Sequence, residues 1–281
     1  MSRQELLAPP AELLFRRQIR LVRALRELWQ ARELVSTLAE RQIRARYKQA
    51  VLGFAWSIIT PVVLMVVFTL FFQRVAQVDT GGVPYSLFSY VGLLPWTVFS
   101  ASVLQGGMSL VQNMLLLNKV PCPREVFPIS CVVVAGIDAT IAVLVLLVLF
   151  LVTGFGPKPT SLWVPIILPV QLAYTLGVTL IVSAVTIYLR DLKHTLPIIL
   201  QLGLFATPVA YGMDAIPSSL QVPYSFLNPI APVIDSLRRT VLYGQPPAWD
   251  LLAAGAVTAV VVLVGGYLMF KRLETGFTDV A

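Results

Sequence analysis

Between Leu52 and Gln73 lie 22 residues without a charge, most of them apolar, and directly before them stands a block of four cations, Arg41, Arg44, Arg46 and Lys48. As an α-helix this run rises roughly 33 Å, enough to cross the hydrocarbon core of a bilayer. The basic block fixes the side from which the run starts, because cationic flanks stay in the cytosol. A charged collar followed by such a run commits the chain to a membrane and sets its orientation there.

The rest of the composition agrees. Of 281 residues, 57% are hydrophobic and only 12% are charged, where soluble domains carry about 25% charged residues. The net charge of +7 does not point to nucleic acid, because the cations gather at helix ends and not on one soluble face. Anionic lipid headgroups are their natural partners. Cys122 and Cys131 are the only cysteines, too few and too separated for a disulfide framework or a metal site. The first 50 residues are basic and amphipathic, so no cleavable leader is expected there.

In chain order, residues 1–51 form a cytosolic amphipathic region. Over 12–48 Phe15, Ile19, Val22, Leu25, Leu28 and Trp29 recur every three or four residues, with Arg16, Arg17, Arg20, Arg23 and Arg26 between them. That pattern predicts an interfacial helix at the headgroup boundary; packing on a partner protein is compatible with it. Six spans are expected, at about 52–73, 85–107, 126–152, 162–189, 195–213 and 251–270, followed by a cytosolic tail over 274–281. Pro61 and Pro95 are expected to bend the first two. Residues 214–250 are proline-rich with apolar pieces too short to cross. They read as re-entrant or interfacial helices, one of them starting at Asn228-Pro229 and ending at Gly244. The fold class is an all-α integral membrane protein.

Orientation follows from the cations. With the N-terminus inside, the inner segments hold 17 of the Lys and Arg residues and the outer segments four, Arg74, Lys158, Arg238 and Arg239. Both termini are then cytosolic. The sequence has no G-x-x-x-x-G-K-[ST] phosphate loop and no paired loop carboxylates for metal-dependent sugar transfer. No catalytic residue, cofactor or metal ligand is assigned. Uphill movement by this chain needs energy from a partner or from an ion gradient. An ion-coupled carrier calls for intramembrane ionisable groups, and only Asp138 stands clearly within a span.

Several stretches resemble the type-2 ABC transporter permeases, nearest to exporters of polysaccharide and O-antigen and similar also to teichoic-acid and capsule exporters. They are residues 44–56, Asn113 to Glu125, Arg190-Asp191-Leu192, 228–233 and Leu237 to Gly244. The resemblance runs from about residue 35 to the C-terminus with the motifs in the same order. It implies a homodimer of six-span subunits in a bacterial inner membrane, with two separate ABC ATPase subunits that use ATP and Mg. It implies a lipid-linked glycan as cargo. Where relatives often read Val-x-Phe-Pro-Arg-Glu, this chain has Val120-Pro-Cys-Pro-Arg-Glu125, with an added proline and no aromatic. An ABC-2 permease for teichoic acid, capsule or a small hydrophobic compound is the first alternative reading. An ion-coupled secondary carrier is the second, and a membrane enzyme acting on lipid-linked sugars is the third.

Candidate sites follow. The resemblance assigns ATPase coupling to Asn113, Lys119, Arg124 and Glu125 on the first inner loop and to Arg190 and Asp191 on the second. Trp56, Phe68, Tyr90, Trp96 and Phe99 are candidates to stack sugar rings along a glycan path, with the interfacial aromatic belt as the alternative. Asp138 is expected to pair with a cation at the membrane edge or hydrogen-bond across helices, with a place in the transport path as the alternative. Asp235, Arg238 and Arg239 share the outer helix at spacings that allow a local ion pair, or a role in steering a lipid phosphate outward.

Overall fold

The structure is a computed structural model describing residues 21–48, 55–73, 77–119, 122–189, 191–274 and 277, and every regular element among them is helical. Helices α1 (Leu21–Gln30) and α2 (Arg32–Lys48) precede α3 (Ala55–Phe68), which continues as a wider turn to Gln73. Then come α4 (Tyr85–Gln112), α5 (Met114–Lys119), α6 (Val126–Thr153), α7 (Val164–Tyr188) and α8 (Leu192–Ala206). The last three are α9 (Ser218–Leu227), α10 (Ile230–Arg238) and α11 (Trp249–Leu273). Among the described residues, four helices are long and apolar enough to cross a membrane: α4, α6, the stretch Pro159–Tyr188 that ends in α7, and α11. Ile58–Gln73 and Leu192–Ala206 are shorter apolar helices.

Three boundaries differ from expectation for local reasons. The helix expected to continue to residue 213 stops at Ala206, because Pro208 pushes Thr207 into the extended region (φ −82°, ψ 141°). The second span, expected to end near residue 107, runs on to Gln112 and stops at Asn113, whose amide Nδ2 turns back to donate to Ser109 O at 2.8 Å. The single N-terminal helix is two helices that meet at Ala31; residues 12–20 lie outside the described residues. Helix α2 buries Leu38 and packs Leu34 and Val35 against a cluster containing Leu110, Val126, Phe127, Ala184 and Phe270. It is therefore fastened to the bundle along one side. Trp29, by contrast, is 71% exposed and carries Arg32 over its ring.

The bundle is arranged around α4. Two thirds (67%) of its membrane-length window is buried, against 22–39% for the other three long helices. Inside a bilayer, lipid tails compete with side chains on equal terms, so helices are held by close packing more than by exclusion from water. Small residues supply that closeness here. A Cβ at Gly106 would lie 2.2 Å from Thr179 Cγ2, which is how near α7 comes to α4. On the opposite side of α7, a Cβ at Gly177 would lie 2.7 Å from the backbone of Val262 and Leu263, and one at Gly266 would lie 2.6 Å from Gly177 O. Trp96 likewise rests on Gly203 of α8.

Since backbone cannot step aside as a side chain can, Gly177→Val is expected to destabilise the bundle by about 1–3 kcal/mol. Gly265→Val, where a Cβ meets nothing within 4 Å, is the matched control and is expected to be neutral. Thermal unfolding of the two variants in the same nanodisc composition checks the difference.

Candidate functional site

Functional candidates collect at the two ends of the bundle. The end that carries the closing residues of α4, α7 and α11 and the start of α6 is the basic end. The end that carries Tyr85, Lys158 and α10 is the far end.

At the basic end, charged residues are tied to one another in preference to facing outward. Glu125, just before α6, is fully buried, and Lys271 Nζ of α11 lies 2.8 Å from its carboxylate. Lys271 also reaches Glu274 at 2.9 Å, and Tyr267 donates its hydroxyl to Glu125 Oε1 at 3.3 Å. Arg124 donates to the backbone carbonyl of Glu274 at 2.5 Å and stands over the Phe277 ring. Phe277 in turn is buried against Phe270, and Tyr188 donates to Leu273 O at 2.9 Å. The loop ahead of α6, the end of α7 and the end of α11 are thus joined. Cys122 sits in that loop, where burial pushes its thiol up and the Arg124 charge opposes the shift. The joined parts leave one side chain conspicuous: Leu115 on α5 is 78% exposed.

Deeper at the same end, Arg46 Nη1 lies 2.6 Å from Asp138 Oδ2, and Nη2 donates to Gln105 Oε1. Gln42, one turn earlier, donates to Ser130 at 2.8 Å. The intramembrane carboxylate therefore has the cationic partner expected of it, delivered by α2.

The far end is organised by Arg238, which is 2% exposed. It donates to four backbone carbonyls: Phe88 (3.1 Å), Pro208 (2.8 Å), Tyr211 (2.8 Å) and Val209. Its guanidinium also stands 3.6 Å from the centroid of the Phe88 ring. Asp235 lies one turn earlier on α10, but no described salt bridge joins it to Arg238 or Arg239. Arg239 donates to Pro246 O at 3.1 Å and is half-buried. The helix ends at Gly244 in a left-handed conformation (φ 69°), where a residue without Cβ pays no steric penalty.

Four of the five aromatic candidates sit inside the bundle. Phe68, Tyr90, Trp96 and Phe99 are all buried. Tyr90 donates to Ala142 O at 3.0 Å, Trp96 and Phe99 are 5.5 Å apart, and Phe99 stacks on Tyr174 at 5.5 Å. For Trp56 and Lys119 only the backbone, in α3 and α5, is described, and Arg190 lies outside the described residues. Asp191 is exposed and begins α8.

Sequence reasoning missed Leu115, because an exposed leucine looks like any other in an apolar pattern. It missed Lys271 as the partner of Glu125, because 146 residues separate the pair. The two outer surfaces it did not single out are the faces of α3 and α8. Helix α8 buries only Leu196, Leu200 and Leu204, while Ile198, Ile199, Leu202 and Phe205 stand 54–66% exposed. On α3 and its extension Val63, Leu70 and Phe71 are 50–63% exposed.

Breaking a buried ion pair by removing one partner costs about 3–5 kcal/mol, whereas replacing both with apolar residues of similar size is close to neutral. Glu125→Leu is therefore expected to lower the unfolding midpoint more than the double change Glu125→Leu with Lys271→Met. Circular dichroism melts of the single and double variants distinguish these outcomes.

Comparison with known proteins matches the model of the ABC-2 type transporter family over residues 33–242. The chain is 34% identical over 257 residues to an O-antigen export system permease protein, RfbA, of Myxococcus xanthus, covering 90% of this chain and 98% of that one. It is 27% identical to the RfbA protein of Klebsiella pneumoniae over 88% of this chain and 95% of the relative. It is 22% identical to the polysialic acid transport protein KpsM of Escherichia coli over 85% and 93%.

Proposed function

The chain belongs to the ABC-2 type transporter family, and from that premise we propose that it is the membrane-spanning permease of an ATP-driven exporter that carries a lipid-linked, O-antigen-like polysaccharide out of the cytosol. The observation that carries this reading is the likeness to the Myxococcus O-antigen export permease along nearly the whole of both chains. The sequence holds no phosphate-binding loop, so ATP and Mg belong to a separate ABC ATPase, two copies per exporter. The KpsM relatives make a capsular polymer the nearest alternative cargo.

In this reading the four long helices, with α3 and α8, make six spans of a multi-pass protein of the bacterial inner membrane. The basic end and both termini face the cytosol, in keeping with the distribution of Lys and Arg. Segment 213–243 lies at the far, periplasmic end. A second copy of the chain completes the path: α8 is buried along one stripe only and α3 along little more, so their remaining faces meet the partner copy, the cargo or lipid. Leu115, an apolar knob on a braced loop, enters a groove of the ATPase, while Arg124 and Glu125 hold the loop in place from behind. Asn113 contributes by ending α4 where α5 begins.

The decisive experiment reconstitutes the chain in liposomes with and without its ATPase and supplies lipid-linked polysaccharide. ATP-dependent movement that needs both subunits is expected. Movement by the chain alone on a proton or sodium gradient would mean an ion-coupled carrier and would refute the proposal. Leu115→Asp is expected to reduce co-purification of the ATPase at least tenfold while leaving the melting profile of the permease unchanged.

A further inference from the structure

The geometry of the far end points to a specific task for Arg238: we infer that it is a positioning residue that pins segment 207–243 to the start of α4, so that this segment is a fixed wall of the exit and not a lid that swings during export. The inference rests on the permease reading above. Its physical basis is the break in α8.

Helix α8 stops at Ala206, and the chain then runs through Thr207, Pro208, Val209, Ala210 and Tyr211 without helical hydrogen bonding to follow. The carbonyls of such a turn have no N–H of their own helix to meet. At membrane depth they must be met by protein. Arg238 meets three of them, at Pro208, Val209 and Tyr211. Tyr85 meets a fourth, donating its hydroxyl to Ala210 O at 2.7 Å. The remaining guanidinium nitrogen, Nε, donates to Phe88 O on α4. One side chain therefore satisfies the broken end of one helix while bonding to another. A lysine ammonium is a point charge that cannot reproduce this forked arrangement.

The neighbourhood is shaped for that side chain. A Cβ at Gly92 would stand 2.4 Å from Arg238 Nη2 and 3.0 Å from Val209 O, so the residue opposite the guanidinium has no room for a side chain. The face of Phe88 stacks below. Further ties close the perimeter. Asn228 Nδ2 donates to Thr207 Oγ1 at 2.9 Å, Tyr243 donates to Thr80 O at 2.9 Å, and Thr160 donates to Thr240 O at 2.6 Å. Lys158 N donates to Val241 O at 3.1 Å, and Pro232 presses on Gly255 of α11. The ties that leave the segment run to Thr80 before α4, to the stretch Lys158–Thr160 before α7 and to Gly255 of α11, so it is held from three separate elements besides α4. Displacement during export must instead be taken up along α3 and the body of α8, where packing is sparse.

Amide hydrogen exchange on the full complex of the chain with its ATPase tests this. Residues 207–212 and 230–243 are expected to exchange at the same rate, within twofold, in the nucleotide-free and vanadate-trapped states. A tenfold or greater rise there on trapping would overturn the inference, whatever the cargo proves to be. A second arm uses a variant. Arg238→Lys is expected to speed exchange in both segments and to cut ATP-driven export at least tenfold with ATPase co-purification retained. Full export by Arg238→Lys would remove the residue from its assigned task. Failure of the wild-type complex to export on ATP would sink the permease reading instead, and the exchange comparison separates the two failures.

Discussion

Everything in this fold depends on how near one helix can come to another where lipid offers no push. Glycine and small hydroxyl residues set that distance. Gly106 lets Thr179 of α7 sit against α4, and Gly177 and Gly266 let α7 and α11 touch backbone to backbone. These contacts place α4 in the middle and α11 behind α7, and the position of every polar group described above follows from that order. Without them Lys271 would not reach Glu125 across 146 residues of chain, nor would Gly92 face Arg238.

The charged groups divide by end and by role. At the basic end, ion pairs join elements that come from distant parts of the sequence: α2 to α6 through Arg46 and Asp138, and the α6 entry to α11 through Glu125 and Lys271. Desolvating such pairs is expensive, and their net contribution to stability is small. What they supply is registry, because each pair is satisfied in one arrangement and costly in any other. At the far end a single cation does comparable work with backbone carbonyls as its partners.

Much of this was legible in the residues. The long apolar runs located the helices, and the prolines and glycines marked their ends: Gly244 closes the segment that begins near Asn228-Pro229, as its type and position suggested. Asp138 asked for a cation and received one. What could not be read is which long-range partner each polar residue finds. Arg238 and Arg239 are adjacent and chemically alike, yet one is sealed among carbonyls and the other is half-buried with a bond to Pro246. Helical periodicity distinguishes the faces of α10 but says nothing about what lies opposite. The aromatics of α3 and α4 failed to declare themselves for the same reason, since core packing and sugar stacking use identical side chains.

The length of α8 has a consequence for the bilayer itself. Fifteen residues rise about 22 Å, several ångströms short of a hydrocarbon core of about 30 Å. A hydrophobic element that is too short draws the two leaflets toward each other or is shielded from them by protein. Where lipid meets α8 directly, its two leaflets are drawn closer together than along the longer helices α4, α6 and α11.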